Sequence, residues 1–250
     1  MFKFTHLLIT TMLFSSTTLA EFNDLIVLKQ AKIVPNELIL SEWPEAKRCL
    51  INNSINIDCV NAHNTNWSML LKAKWYQLNG DLKEATDIID LSLSKETSHH
   101  LNYFQKAVLL YQKLQLTKTG KEQWVLSMGL AKNYKSALEI NPDIFQYRYY
   151  MAYHYLQTPK KYGGDPSIAF KLADDGVKNG QDEFYPVRAD IYLALGNIES
   201  AINDYREAIN KNIYKRSSFE KASMIEGLND ETSKLINDHI SKSEKIISKS

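Results

Sequence analysis

Apolar residues in this chain recur three and four positions apart rather than at every second position, and they do so in paired runs. That period is helical, and the pairing predicts hairpins of two helices. Two segments show it most clearly. Ala73–Ala85 is followed by Ile88, Ile89 and Leu93, and Ala189–Ala201 is followed by Tyr205 and Ala208. In both, a small residue precedes Tyr by three (Ala73 and Tyr76, Ala189 and Tyr192). Gly comes four after that Tyr (Gly80, Gly196), Ala five after Gly (Ala85, Ala201), and a large apolar residue four after Ala (Ile89, Tyr205). Small residues let two antiparallel helices approach closely, and the Tyr and the later apolar residue fill the space between them. Gly80 and Gly196 suit the left-handed residue that ends a helix. Asp81 and Asn197 suit the cap that starts the next, and Asp81 with Glu84 approximates a capping box.

The same reading extends outward. Ala107 and Leu110 place a helix at 100–115, and its partner is a long helix over 123–140, with the polar Gln115–Lys121 stretch between them as a loop. A further pair is expected at 143–157 and 166–178, where Asp165 is an N-cap and Pro166 a first helical residue. Beyond it, Ser217 and Glu220 suggest a capping box before a helix at 218–226. Gly227 ends that helix, and a last helix from Asp230 carries Leu235, Ile236, Ile240, Ile246 and Ile247 mostly on one face. At the other end, Phe22–Val34 reads as a helix stopped by Pro35, and Ser41–Leu50 as another, with Ser41 as its cap.

The two best-matched hairpins, Asn66–His99 and Asp182–Ile213, resemble the tetratricopeptide repeat, a helix-turn-helix unit, with Thr97 and Ile213 standing where that family usually has Pro. The stretch Leu130–Val177, with Asn141-Pro142 and Gly163-Gly164-Asp165-Pro166, is similar to a group of bacterial exported repeat proteins with no well-established activity. The resemblance implies an all-α solenoid of about four tetratricopeptide-like repeats over 66–213, two of them irregular. N-terminal helices (21–65) and C-terminal capping helices (214–250) flank it. It also implies that the first helix of each unit lines a concave, partner-binding face. Mapped onto this chain, that face comprises Trp67, Leu70, Lys74 and Gln77, then Leu101, Phe104 and Tyr111, then Gln146, Tyr149 and Tyr153, and finally Glu183 and Asp190. The aromatic helix stands out: Phe145, Tyr147, Tyr149, Tyr150, Tyr153 and Tyr155 crowd six rings into eleven residues, more than one buried stripe can take. Two readings are open for these rings: a binding groove, or packing beneath the 115–121 and 158–165 insertions.

Composition narrows the class. Of 250 residues, 44% are hydrophobic, with only 6 Pro and 9 Gly, which permits a sizeable core and long helices. Lys3, the apolar Leu7–Phe14 and the small residues before Glu21 read as a signal peptide cleaved after Ala20, hence export to a periplasm if the cell is Gram-negative; an uncleaved anchor is the alternative. Losing residues 1–20 removes Lys3 and leaves 29 basic against 29 acidic residues. No basic surplus remains for a nucleic-acid partner, and no other stretch has the length and apolarity of a membrane span. Cys49 and Cys59 are the two cysteines. In an oxidising compartment they predict a disulfide adding about 3 kcal/mol by loop closure, with two free thiols as the alternative.

Signatures of catalysis and cofactor binding (GxSxG, HExxH, P-loop, GxGxxG) are missing from the sequence, so no catalytic residue, metal or cofactor is assigned. Gly163-Gly164-Asp165-Pro166 reads as a tight interhelical turn. His99 and His100, as neighbours on one helix, are expected to point apart, and His154 to be a packed or edge histidine. The expectation is therefore a non-catalytic exported adaptor holding a peptide segment or partner protein. The alternative is a small-molecule-binding component beside an envelope transporter.

Overall fold

The computed structural model describes residues 34–52, 54–95, 99–213, 216–226 and 228–247. The expected signal segment 1–20 with its cleavage at Ala20, residues 22–33 of the expected Phe22–Val34 helix, Thr97 and Gly227 lie outside the described residues, and Val34 itself is not helical.

The turn chemistry of the two matching hairpins sets the fold. The first hairpin comprises α3 (Asn66–Leu78) and α4 (Leu82–Leu93). Gly80 adopts φ +83°, and Asp81 N–H returns to Tyr76 O at 2.9 Å, which satisfies the carbonyls at the end of α3. The Asp81 carboxylate then accepts from Glu84 N–H at 3.0 Å and opens α4. Gly196 and Asn197 repeat both moves between α9 (Tyr185–Ala194) and α10 (Ile198–Asn210). Ala73, Ala85, Ala189 and Ala201 are fully buried at the close approaches, as the spacing requires.

Between these hairpins lie α5 (His100–Leu116) with α6 (Gly120–Ile140), and α7 (Phe145–Gln157) with α8 (Pro166–Lys178). The predicted 115–121 loop is much shorter than expected. Helix α5 runs through Leu116 and α6 begins at Gly120, leaving 117–119 as the turn, where Gln123 Nε2 donates to Thr117 O at 3.0 Å. The chain ends in α11 (Arg216–Ser223) and α12 (Asp230–Ile247), whose N-terminus is capped by Asn229 accepting from Thr232 N–H. Helices pair in sequence order, and each hairpin packs on the next. Close approach is enforced between units as well as within them: a Cβ on Gly176 of α8 would stand 2.4 Å from the Phe184 ring.

The N-terminal segment departs from expectation. The predicted helix at 41–50 is replaced by two short pieces, α1 (Asn36–Glu42) and a 3-10 turn Pro44–Cys49, because Pro44 has no N–H to continue α1. A two-residue hairpin follows, β1 (Leu50–Ile51) with β2 (Ser54–Ile55), and then α2 (Ile57–Asn61). Cys49 and Cys59 form a disulfide with Cα atoms 5.4 Å apart. Pro35 occupies the cap position before α1. No helix among the described residues is long and apolar enough to cross a membrane.

Candidate functional site

Nine of the twelve partner-face residues singled out above are buried: Trp67, Leu70, Lys74, Gln77, Leu101, Phe104, Tyr149, Tyr153 and Asp190. Tyr111, Gln146 and Glu183 are half-buried. The chain itself covers this face. Lys74 Nζ donates to Val34 O at 2.8 Å and also to Asn36 Oδ1, so the segment before α1 lies over α3. The Arg48 guanidinium stands 5.3 Å over the Trp67 ring. Gln105 Nε2 donates to Gln77 Oε1 at 2.7 Å, bridging α5 and α3. Burial lowers Lys74 to about 8, and the negative charge of Glu37 opposes that shift.

The aromatic helix α7 packs inward on several sides at once. Phe104 lies 4.9 Å from Tyr147 and 5.7 Å from Tyr150, while Tyr149 meets Tyr153 at 5.0 Å and Phe184 at 5.6 Å. Edge-to-face and offset pairs of this kind favour a fixed interior. Leu101 of α5 is completely buried in the same core. At the C-terminal end, Asp190 accepts from Tyr205 Oη at 2.7 Å and Ser218 Oγ at 3.0 Å and pairs with Lys221 Nζ at 3.3 Å, so α11 closes over α9. Beside it Arg188 bridges Asp204 and Asp174, with three N–O contacts of 2.7–2.8 Å.

His154 is held by hydroxyl groups on both ring nitrogens. Its Nε2 lies 3.4 Å from Ser127 Oγ, but that hydroxyl is buried and donates to Tyr162 O at 3.0 Å. Its Nδ1 faces Thr158 Oγ1 at 3.2 Å, a hydroxyl where a charge-orienting base would need a carboxylate. Burial lowers the ring to about 4, so it is neutral at ordinary pH.

Two arrangements were not foreseen from sequence. The first is a strip of apolar side chains on the outer side of the longest hairpin. Leu116 is 72% exposed, Trp124 48%, Val125 54% and Met128 48%. Trp124 and Met128 are four apart on α6, and Val125 adjoins both. Exposed lysines bracket the strip: Lys118 and Lys121 at the tip, Lys132 one turn beyond Met128, and Lys160 and Lys161 on the 3-10 turn Lys160–Tyr162, which leans on α6 through Ser127 and Met128. Among the described residues none of these five lysines has an ion-pair partner.

The second is the cluster of Glu42, His99 and His100. The two histidines do not diverge. His99 is the N-cap of α5 with an extended backbone (φ −110°, ψ 147°), so its ring turns back to the same side as that of His100, centroid to centroid 4.0 Å. Both rings face Glu42 at the end of α1: His99 Nε2 is 3.4 Å from Oε2, and His100 Nε2 is 3.4 Å from Oε1. Burial lowers both histidines, His99 to about 4 with the adjoining His100 adding to the shift, and Glu42 opposes it in each case.

A small pocket of about 140 Å³ lies among Val60, His63, Met69, Lys72 and Leu91, below the size of a typical organic-ligand site. Comparison with known proteins yields no match to a family model, a curated protein or a solved structure.

Proposed function

We propose that this chain is a non-catalytic, exported adaptor of tetratricopeptide type that holds a peptide segment or a partner protein. Stacked helical hairpins supply a stiff support, and the observation that carries the reading is the exposed strip Leu116, Trp124, Val125 and Met128. Contiguous apolar surface on a water-exposed helix is costly unless something covers it, and Trp and Met are favoured where partners bind. The residues earlier assigned to a concave face contribute as the rigid body beneath, since most of them are buried. The partner is assigned to the α6 strip, and its half-buried neighbour Tyr111 of α5 belongs to the same hairpin.

The lysines specify the partner further. An amphipathic segment with two or three large apolar residues, flanked by Asp or Glu, complements an apolar strip set among Lys118, Lys121, Lys132, Lys160 and Lys161. Rim charges act mainly on the association rate, while the apolar anchors hold the complex.

A photo-reactive residue replacing Val125, in the chain expressed in its own cell, should give one discrete adduct. Trp124→Ser with Met128→Ser should lower its yield about tenfold or more, since losing one buried anchor costs roughly 2 kcal/mol. Melting temperature should barely move, because both side chains are half exposed. A missing adduct, or one indifferent to the double substitution, removes the strip as a docking surface.

A further inference from the structure

Three segments far apart in sequence converge where α1 ends: Glu42, the first residues of α5, and the α6–α7 connection with Asn141 together with Tyr147 in the first turn of α7. We propose that Glu42, His99 and His100 form a binding site for one divalent transition-metal ion of zinc's class.

The spacing is the first argument. Around an ion with bonds of about 2.0–2.1 Å, tetrahedral co-ligand atoms stand about 3.4 Å apart. Each histidine Nε2 stands 3.4 Å from a carboxylate oxygen of Glu42, His99 from Oε2 and His100 from Oε1. A charge-assisted N–H to carboxylate hydrogen bond closes to about 2.7–2.9 Å, and neither histidine does so. One donor atom from each of the three residues can be chosen within 4.8 Å of the others, so no edge needs to shorten by more than about 1.4 Å to reach tetrahedral spacing. Two imidazoles and one carboxylate form a ligand set that suits zinc, cobalt, nickel or copper.

The surroundings are the second argument. Tyr147 Oη lies 2.6 Å from His100 Nδ1 and is buried with it. A ligating imidazole donates its remaining N–H to such an acceptor, which fixes the ring with Nε2 toward the ion. Trp43 packs on the His99 ring at 4.3 Å and holds it from the other side. Glu42 and His99 keep 29% and 24% of their side chains exposed, so the ion has an entry path and water completes its shell. Two existing contacts give way. Asn141 Nδ2, 3.4 Å from His100 Nε2, must move aside when that nitrogen takes the metal. Leu101 N–H donates to His99 Nδ1 at 3.3 Å, a long bond that is lost when Nε2 takes the metal and the ring proton sits on Nδ1. The ion then joins α1 directly to the start of α5, and so pins the N-terminal segment over the first hairpins.

The test uses the full chain without a histidine tag, stripped with chelator under non-reducing conditions. Titration with Zn²⁺ should show one ion per chain at micromolar or tighter affinity. Co²⁺ should give the intense visible bands of a four-coordinate N/O site. Glu42→Gln keeps the shape of a part-exposed side chain and should weaken Zn²⁺ by more than ~100-fold, and Tyr147→Phe, a positioning change, by ~10-fold with altered Co²⁺ bands. Zn²⁺ should raise the melting temperature of the parent but not of Glu42→Gln. If His100→Gln does not fold, Glu42→Gln still decides. The proposal is overturned by affinity no better than millimolar, by binding that survives Glu42→Gln, or by binding that appears only after reduction, which would belong to Cys49, Cys59 and His63.

Discussion

Lys74 and Asp190 occupy the same position in the two hairpins that match each other in sequence, one residue after the close-packed Ala73 and Ala189, and they carry opposite charges. Both are buried, and each reaches a segment outside its own hairpin. Lys74 takes the Val34 backbone carbonyl before α1 and the amide oxygen of Asn36, the first residue of α1. Asp190 takes a serine hydroxyl and an ammonium from α11. The same position of the two matching hairpins is thus used twice to fasten a flanking segment, with the charge matched to what that segment offers. The two sites differ in how well burial is compensated. Asp190 gains a third partner in Tyr205, at the position where the first hairpin has Ile89. Lys74 faces neutral oxygens, and its only favourable charge is Glu37.

That contrast predicts the largest effect at Asp190. Asp190→Ala leaves the Tyr205 and Ser218 hydroxyls buried without this acceptor and releases Lys221, a loss of about 4 kcal/mol. Urea unfolding measures it, and hydrogen exchange should show the loss in α11 and α12 while α3 and α4 stay protected. A loss under about 1 kcal/mol would mean that water replaces the carboxylate and that the two sites are alike.

Next in size is the N-terminal clasp. Cys49→Ala with Cys59→Ala opens the loop closed by the bridge and should cost about 3 kcal/mol. The loss should concentrate in residues 34–61, read as faster exchange of α1 and α2 amides, and should leave the Asp190 region untouched. Uniform destabilisation along the chain would instead show that the terminal segment and the hairpins unfold as one unit.

These two ends also mark what could be read from sequence. The hairpins were legible because their signals are local: Gly80-Asp81 and Gly196-Asn197 place the turns, and four alanines place the close approaches. That most of the residues assigned to a partner face are buried was not legible. Whether Lys74 or Asp190 meets water depends on segments about 40 and 31 residues away along the chain. No periodicity encodes that pairing. The histidines were misread for a related reason. Helical spacing sets neighbours apart, but His99 sits one residue before the helix, where its extended backbone turns the ring toward His100. Trp124, Val125 and Met128 were hidden by the opposite error. They share the apolar character of a core stripe, and nothing in their spacing marks this side of α6 as the one left in water.

The smallest effect is also the most specific to the comparison, because it depends on pH. Lys74 titrates at about 8 in the folded chain and near 10.5 when unfolded. Below pH 8 it is charged in both states and pays its desolvation in full. As pH rises from 8 toward 10.5 the folded chain releases the proton first, the unfolded state binds more protons, and stability rises. Between pH 7.5 and 9.5 the parent should therefore gain about 2 kcal/mol relative to Lys74→Met, in which the titration is gone and the tyrosine contributions cancel. Asp190→Asn, which keeps Lys74, should show the same slope as the parent over that range. Equal slopes for parent and Lys74→Met would mean that Val34 O and Asn36 Oδ1 hold the ammonium strongly enough to offset its burial. The contrast between the two ends of the chain would then lie in partner number rather than in charge.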